Sequence, residues 1–386
     1  MSKEIPRREV LKGGLALAGL ASLGIPKWAM PAVAQGEVVV PFTDFPADFN
    51  PAPRPGVRYL DTRTIDGFLT PADKWFTVQH YNQPEIDKAT YRLRITGMVS
   101  TPREYTLDEL KKKSAAQHTV GFECSGNSRR RVHGLVGNGR WTGISLSMLL
   151  KECGISRNAK EVVFFGADKG TEEITLGGTT QKVEQNFARS LSSDDALRQD
   201  VFLAYELNGE PLSLYQGAPL RLIVPGWYGV AQVKWLQIIH VQDRRFMGRY
   251  MARSYVTLRG RKVGDQIEWT ESSVSRMQLK SVITRLTKIG NMIKILGFAL
   301  TDTTPLKAIE VKIDDGPWKT AMIDKQSTSG SWKLFTYMWE GATPGEHSLV
   351  SRAIDVNGVI QPAEEDELKK TPWENNEQMV RKVMVS

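Results

Sequence analysis

Short runs of alternating apolar and polar residues, interrupted by Gly, Pro and Asn, dominate the chain from residue 59 to about residue 241. The segment 91–97 alternates as a strand with one buried face does, whereas 107–113 and 144–152 carry apolar residues at helical spacing. Further β-rich runs, each closed by Gly, Asn or Pro, lie at 160–166, 201–207 and 220–225. This mixture predicts an α+β fold for the larger part of the chain.

From about residue 271 to residue 386 the pattern is β-only. The predicted strands there are 292–300, 308–313, 332–339 and 347–354. The sequences Asp314-Asp315-Gly316-Pro317 and Asn357-Gly358 are typical of turns between antiparallel strands. We therefore predict a mixed α/β domain over 59–265, followed by an immunoglobulin-like β-sandwich over 266–386.

The first 34 residues have the pattern of a signal peptide. Arg7-Arg8 precedes an apolar run over 13–25, and Ala32-Val33-Ala34 supplies the small residues of a cleavage site. The apolar run is too short for a membrane anchor. The paired arginines resemble a twin-arginine signal, which predicts export of the folded protein to the periplasm and no membrane span in the mature form. Residues 35–58 form a predicted extended arm, because prolines interrupt them too often for a regular element.

Composition and charge narrow the classes of function. Two cysteines among 386 residues exclude a disulfide scaffold and a four-cysteine zinc site, and the five histidines have no paired ligand spacing. A net charge of +8 suits an anionic ligand, but this charge alone does not predict nucleic-acid binding. Six arginines between residues 244 and 261 are interpreted either as a solvated face or as a rim that attracts anions.

The segment 122–134 carries the most informative chemistry. Cys124 is followed by Ser125-Gly126-Asn127, a flexible turn whose backbone N–H groups can point one way, and then by three arginines. Such surroundings stabilise a thiolate. The residues leave three interpretations open, namely a metal-ligating thiolate, a nucleophilic thiol or a disulfide with Cys153, and the basic surroundings favour a functional thiol.

This segment resembles the molybdenum-binding segment of the sulfite oxidase family of molybdopterin enzymes. The resemblance begins with Cys124-Ser-Gly-Asn-Ser-Arg and covers about residues 59–386. Further matching segments follow in the family's order, at 134–135, 140–143, 166–168, 203–212, 217–221, 224–226 and 233–236. The resemblance implies a molybdopterin-binding catalytic domain and a C-terminal sandwich that makes a homodimer.

The resemblance also implies roles for individual residues. Cys124 would be the thiolate ligand of molybdenum, a metal for which a soft sulfur ligand is suited. Arg129 would line the pocket for an oxyanion, and Tyr255 would be the active-site tyrosine, with Tyr250 as the competing choice. The positions that match the family's pterin and phosphate site are Phe76, Thr77, Gln79, His80, Asp168, Gln216, Arg221, Gln232, Val233 and Lys234. Gln216 stands where family members often have histidine.

Two departures from the family pattern concern the substrate. Val78 occupies the place of a pocket arginine in sulfite-oxidising members, and the family's Trp-Asn-x-x-Gly signature is altered to Trp373-Glu-Asn-Asn. Apart from these departures, the resemblance predicts oxidation of sulfite, or a related sulfur oxyanion, to sulfate by oxo transfer. Because Val78 makes the pocket less cationic, a sulfane dehydrogenase subunit or a reductase of S-oxides remains the alternative.

The electrons of this reaction need an acceptor outside the chain. The sequence has no Cys-x-x-Cys-His, so we expect no covalent haem and a separate cytochrome c as the acceptor. An interpretation from a different class is a basic periplasmic protein that binds polyanions and holds no metal. Metal content distinguishes this interpretation from the enzyme.

Overall fold

Strands make up most of the ordered elements of the protein. A computed structural model describes residues 32–386, so the predicted signal peptide lies, up to residue 31, outside the described residues. The described strands, in chain order, are β1 (Val38–Val40), β2 (Arg92–Gly97), β3 (Arg103–Thr106), β4 (Ala115–Glu123), β5 (Val136–Ser145), β6 (Glu161–Leu176), β7 (Thr179–Ser192), β8 (Phe202–Leu207), β9 (Glu210–Pro211), β10 (Arg221–Ile223), β11 (Leu236–Gln242), β12 (Val256–Val263), β13 (Gln266–Ser273), β14 (Lys280–Ile289), β15 (Met292–Leu300), β16 (Leu306–Ile313), β17 (Lys319–Thr320), β18 (Met322–Ile323), β19 (Lys333–Glu340), β20 (Gly345–Asp355) and β21 (Arg381–Val385).

Helices are short and account for only 10% of the structure. Those described are α1 (Leu107–Lys111), α2 (Leu146–Glu152), α3 (Ser193–Ala196) and α4 (Arg249–Ala252). Local sequence explains where α1 begins, since Thr106 and Glu109 form a capping box. The two predicted helices are confirmed as α1 and α2, but the α+β prediction is right only in part. The sheets dominate because the 115–145 and 176–192 segments, for which no strands were predicted, are also strands.

Two five-stranded sheets form the part of the fold that holds the cavity described below. One has the order β3-β2-β11-β6-β7, in which only the β11–β2 pair is parallel. The other has the path β10-β8-β5-β4, with β9 paired to β8. Apolar side chains of both sheets share one core with α2, and Trp141 lies fully buried in it. This core fixes the end of β4 next to the loop between β10 and β11.

Two antiparallel sheets follow in the C-terminal part, with the orders β1-β14-β15-β19-β18 and β17-β16-β20-β21. Inward-facing residues of both sheets form a second core, so the two sheets pack as a sandwich. Strand β15 has the predicted bounds 292–300. The predicted arm at 35–58 contributes β1, which pairs with β14. The predicted boundary at 265 falls in the turn between β12 and β13.

Within residues 32–386, no helix has the length and the apolar character that a membrane crossing requires.

Candidate active site

Most residues predicted to bind the pterin, together with Cys124 and Tyr255, line one cavity. Its wall comes from parts of the chain that are far apart in sequence: the segment 75–80, the end of β4, strands β6 and β7, the region 215–235 around β10, and the residue just before β12. The predicted residues in the wall are Phe76, Thr77, Gln79, His80, Cys124, Asp168, Arg221, Gln232, Lys234 and Tyr255.

Cys124 stands at the tip of β4, where the chain turns sharply. Its N–H donates to the Leu135 carbonyl at 2.9 Å, and its carbonyl accepts from the Asn127 N–H at 2.9 Å. The residue is 8% exposed, and burial raises the pKa of its thiol against the opposing effect of the Gly126 N–H. Cys124 and Cys153 are both free thiols, which removes the disulfide interpretation. A buried thiol that faces a polar cavity is placed to bind a metal in it.

Two cations, the buried Arg221 and the partly buried Lys234, face the same cavity, and within the described residues neither has a carboxylate partner within 4 Å. Lys234 Nζ donates to the Thr77 hydroxyl and to the Tyr215 carbonyl, both at 3.4 Å. Arg221 donates to the backbone carbonyls of Gln216 and Gln232. Burial lowers the pKa of Lys234 to about 7 and that of Arg221 to about 9. Cations in a cavity wall that form no close ion pair with a carboxylate favour an anionic ligand.

Asp168 adds a buried carboxyl group to the same wall. Its Oδ1 atom has no hydrogen-bond partner, and burial raises its pKa to about 7 although Lys234 opposes this. The Oε1 atom of Gln79 is likewise buried and without a partner. Polar atoms left unpaired at the wall of a cavity are the pattern that a polar ligand completes. Cations, unpaired acceptors and a thiol together fit a pterin with a phosphate and a metal on sulfur.

His80 and Tyr255 form a hydrogen-bonded pair inside the cavity, with His80 Nε2 2.7 Å from Tyr255 Oη. Burial and nearby cations lower the pKa of His80 to about 3, while burial raises that of Tyr255, so both side chains are neutral near pH 7. Tyr255 has a φ of 58°, a conformation that favours glycine, and such strain is concentrated at functional sites. The competing Tyr250 lies outside the cavity wall, and its ring packs at a tilt of 54° against His80 with 4.7 Å between ring centres.

Arg129 does not line the cavity, contrary to the role that the resemblance implied. Its side chain is 62% exposed, and its guanidinium lies 3.6 Å from Asp44 of the N-terminal arm. Arg129 begins the short 3₁₀ turn Arg129–Arg131. Arg131 donates to the Gly126 carbonyl at 2.6 Å, and its charge counteracts the rise in the pKa of Cys124.

Two further predicted residues lie beside the cavity and not in its wall. Gln216 accepts from the Ser213 N–H and donates to the Ala72 carbonyl, so its side chain braces the neighbouring backbone. Val233 is almost fully buried in the core. Gln232 does line the cavity, but its side-chain oxygen accepts from the Val224 N–H. These residues therefore act on the site mainly through the backbone that carries Lys234.

Much of the remaining wall is apolar, which the motifs did not predict. The apolar and aromatic residues in it are Trp75, Val78, Phe122, Phe187, Val230 and Trp235, beside Tyr215. Trp373 was noted only as an altered signature, yet it stacks on Tyr255 with 4.5 Å between ring centres. The sequence feature that could have indicated this apolar wall is the clustering of aromatic residues near positions 75 and 235. Within the described residues, no three His, Cys, Asp or Glu side chains converge as a metal cluster, so a metal here would take Cys124 as its protein ligand.

Comparison with known proteins gives a consistent result. Residues 80–250 match the family described as the oxidoreductase molybdopterin binding domain. A sulfite oxidase of Arabidopsis thaliana is 25% identical over 335 residues, which cover 77% of this chain and 83% of that protein. A mitochondrial sulfite oxidase of Mus musculus is 26% identical over 325 residues, or 77% of this chain and 58% of that protein. The NADH nitrate reductase of Ulva prolifera is 33% identical over 195 residues.

The chain spans less than two thirds of several of these relatives, since the match covers 22% of the nitrate reductase and 58% of the mouse enzyme. Among solved structures, the sulfane dehydrogenase SoxCD from Paracoccus pantotrophus has the same fold, with a TM-score of 0.70 and 24% identity over 90% of this chain and 91% of that one. The matches agree with a cavity that joins a buried thiol to unpaired cations. The protein therefore carries an oxidoreductase molybdopterin binding domain and, over most of its length, is similar to the sulfite oxidase family of molybdopterin enzymes.

Proposed function

We propose that the protein is a periplasmic molybdenum oxidoreductase that oxidises sulfite, or a related small sulfur oxyanion, and passes the electrons to a separate cytochrome c. The observation that carries this proposal is the cavity itself. In it the Cys124 thiol shares a wall with Arg221 and Lys234, two cations that have no carboxylate partner within 4 Å in the part of the chain that the structure describes. The sequence matches to sulfite oxidases support the substrate class.

Molybdopterin, when bound, would supply the two-electron redox chemistry and the oxygen transfer. We assign the metal to the Cys124 thiolate. Lys234, Arg221 and the neighbouring backbone would hold the anionic part of the pterin, because cationic donors and N–H groups are what a buried phosphate requires. Asp168 would accept a hydrogen bond from the pterin through the Oδ1 atom that lacks a partner.

The chain's own residues then position the substrate and its proton. With the imidazole tautomer in which His80 Nε2–H donates to Tyr255 Oη, the neutral Tyr255 hydroxyl is fixed in the cavity next to Cys124 and keeps its own proton free to donate. Because Tyr255 is 7% exposed and Trp373 covers its ring, bulk water has little access to this bond. Such a fixed, desolvated hydroxyl is suited to stabilise charge that develops on a reacting oxygen.

A second candidate function is that of a sulfane dehydrogenase subunit or a reductase of S-oxides. Two observations favour it: Val78 lines the cavity where the resemblance expects an arginine, and Arg129 lies outside it against Asp44. With fewer cations near the thiol, a substrate of lower charge would be favoured. The solved structure of similar fold is a sulfane dehydrogenase, which is consistent with this alternative.

The compartment, the acceptor and the assembly are part of the proposal. The paired arginines and the cleavage site within residues 1–34 support export by the twin-arginine route. Without a Cys-x-x-Cys-His sequence, the chain offers no covalent haem site, which supports a separate electron acceptor. The two-sheet sandwich at the C-terminal end supports a homodimer through that domain. Purification from a periplasmic fraction, with the mass measured in solution, tests export and assembly.

Elemental analysis and a substrate panel test the proposed activity. We expect roughly one molybdenum per chain, and reduction of cytochrome c by sulfite; metal with turnover of a sulfane or an S-oxide in place of sulfite supports the second candidate. Cys124→Ser should lose most of the molybdenum and keep its fold, whereas Cys153→Ser, the matched control, should keep the metal because Cys153 lies outside the cavity. A purified wild-type chain that takes up no molybdenum overturns the proposal and favours the polyanion-binding protein.

A further inference from the structure

A buried ion pair lies directly behind the Cys124 turn, and the proposed reaction does not use it. Lys280 Nζ is 3.0 Å from Glu123 Oε1 and 3.2 Å from Oε2, and the two side chains are 2% and 0% exposed. Lys280 begins β14 of the C-terminal sandwich, whereas Glu123 ends β4, one residue before the thiol. The pair therefore connects the sandwich to the residue next to Cys124.

Asn127 connects this ion pair to the backbone on both sides of the thiol. Its Nδ2 donates to Glu123 Oε2 at 2.9 Å and to the His133 carbonyl at 3.0 Å, while its Oδ1 accepts from the Leu135 N–H at 3.1 Å. Its own N–H donates to the Cys124 carbonyl, and the Cys124 N–H donates to Leu135. An uninterrupted series of bonds thus runs from the ion pair to both ends of the turn.

Such a network determines position more than it adds stability. Desolvation makes a buried ion pair costly, and apolar replacements of both partners are often neutral or stabilising in proteins. The pair does, however, hold the two oxygens of Glu123 in one direction, with Lys280 on one side and Asn127 on the other. An apolar pair would fill the same volume without orienting Asn127, and the Cys124 turn would lose that constraint.

We propose that Lys280 is a positioning residue of the active site. Through Glu123 and Asn127 it fixes the turn so that the Cys124 thiol faces the cavity in one orientation. This inference rests on the proposed function, in which Cys124 is the metal ligand. Its test, however, includes a measurement on the cofactor-free chain, so the positioning role of Lys280 and the proposed function can be contradicted independently.

The test compares Lys280→Met with a matched control, Lys294→Met. Lys294 forms an equally buried ion pair with Glu37 at 2.7 Å, on a strand that does not carry the thiol. In the cofactor-free full chain, the alkylation rate of Cys124 by iodoacetamide is measured by peptide mass spectrometry, with Cys153 as the internal reference. We expect Lys280→Met to raise the Cys124 rate about tenfold through local opening of the turn, and Lys294→Met to leave it unchanged.

A double variant distinguishes loss of position from damage by an unpaired charge. In Glu123→Gln/Lys280→Met no charge is left buried, but Lys280 no longer holds the side chain at position 123 in one direction, so the Cys124 rate should stay about tenfold above wild type; a return to the wild-type rate would show that the unpaired charge, and not the loss of position, caused the change in Lys280→Met. In the loaded enzyme, Lys280→Met should also change the sulfur-to-molybdenum absorption, whereas Lys294→Met should not. A Cys124 rate in Lys280→Met equal to that in Lys294→Met overturns the proposal.

A third variant keeps the proposal testable if Lys280→Met does not fold. Asn127→Ser breaks the same link without leaving a charge unpaired, and it should raise the Cys124 rate by about the same factor. A wild-type rate in Asn127→Ser shows that the network does not position the thiol. By contrast, a wild-type chain without molybdenum, but with the expected alkylation rates, overturns only the proposed function.

Discussion

His80 Nε2 and Tyr255 Oη lie 2.7 Å apart, and this bond joins two segments 175 residues apart in sequence within one cavity. Phe187 stacks on His80 with 4.9 Å between ring centres, and Trp373 stacks on Tyr255, so aromatic rings enclose the bond. Burial, together with Lys234 and two arginines, keeps the imidazole neutral by lowering its pKa to about 3. The pair therefore presents a neutral, fixed hydroxyl next to the Cys124 thiol.

Removing that hydroxyl should slow turnover and leave cofactor binding intact. We expect Tyr255→Phe to keep its molybdenum and to lower kcat about 100-fold, because one fixed donor near a reacting oxygen typically contributes this much. Tyr250→Phe is the control, since Tyr250 lies outside the cavity wall and contacts His80 through its ring, which the phenylalanine keeps, and its kcat should fall less than about threefold. Steady-state kinetics at equal molybdenum content measure kcat for both variants and for wild type. A larger loss in Tyr250→Phe would identify Tyr250 as the active-site tyrosine.

Lys234 should destabilise the cofactor-free protein in a pH-dependent way. Burial lowers its pKa from 10.5 to about 7, so the unfolded chain binds the proton more tightly than the folded chain. The destabilisation is therefore complete below pH 7 and disappears as the pH rises towards 10.5. Cofactor-free Lys234→Met should be more stable than wild type at about pH 6, by on the order of 2 kcal/mol, and nearly equal to it at about pH 10.

Urea unfolding of the cofactor-free chains at both pH values measures this difference. The same variant should retain less cofactor, because it loses a cation that faces the anionic ligand. Lys333→Met serves as the control: Lys333 is also a buried lysine with a lowered pKa, but it lies outside the cavity, so cofactor retention should not change. Lower stability of Lys234→Met at both pH values would contradict the view of Lys234 as an unbalanced buried charge.

Val78 should limit the preference of the enzyme for charged substrates. Placing a guanidinium at this position of the cavity wall offers an oxyanion two parallel N–H donors. We expect Val78→Arg to raise kcat/KM for sulfite about tenfold relative to kcat/KM for a neutral S-oxide. Val78→Met, which adds bulk without charge, should leave that ratio within about twofold of wild type. If both variants change the ratio equally, the size of the side chain and not its charge determines specificity.

The pair formed by His347 and Asp314 in the C-terminal sandwich should stabilise the folded protein only within a limited pH range. His347 Nδ1 lies 2.7 Å from Asp314 Oδ2, and this bond raises the pKa of His347. Burial raises the pKa of Asp314, but bonds from His347 and from the Ser348 N–H outweigh this effect and lower it. The histidine's contribution is complete below its ordinary pKa of 6.5 and disappears above its raised value. The aspartate's contribution is present above its ordinary pKa of 3.8 and disappears as the pH falls through its lowered value.

His347→Gln should therefore lower the free energy of unfolding most between about pH 4 and 6.5, where both groups are charged. Because half of the Asp314 side chain is exposed and screened by solvent, we expect only about 0.5 kcal/mol. Thermal unfolding of wild type and His347→Gln from about pH 3 to pH 9 measures the difference. Lys382→Gln, which removes an exposed surface pair with Glu346, is the control and should show no such window. An equal loss of stability at every pH would show that the ion pair contributes nothing.

Local sequence determined the features that depend on near neighbours. The Cys124-Ser-Gly-Asn segment and the ordered matches after it indicated the cofactor. The alternation of apolar positions predicted β15 at its observed bounds, and the spacing of apolar residues predicted α1 and α2. These features follow from local conformational preference and from which face of an element is apolar.

The tertiary structure alone decided which of these residues meet. Motif position assigned a pocket role to Arg129, but Asp44 of the arm holds that side chain outside. The direction of such a side chain depends on partners that are distant in sequence. The Glu123–Lys280 pair and the His80–Tyr255 bond depend on such partners as well, because their geometry exists only after the sheets have packed. Sequence identified the thiol and the chemistry, and packing decided which groups surround it.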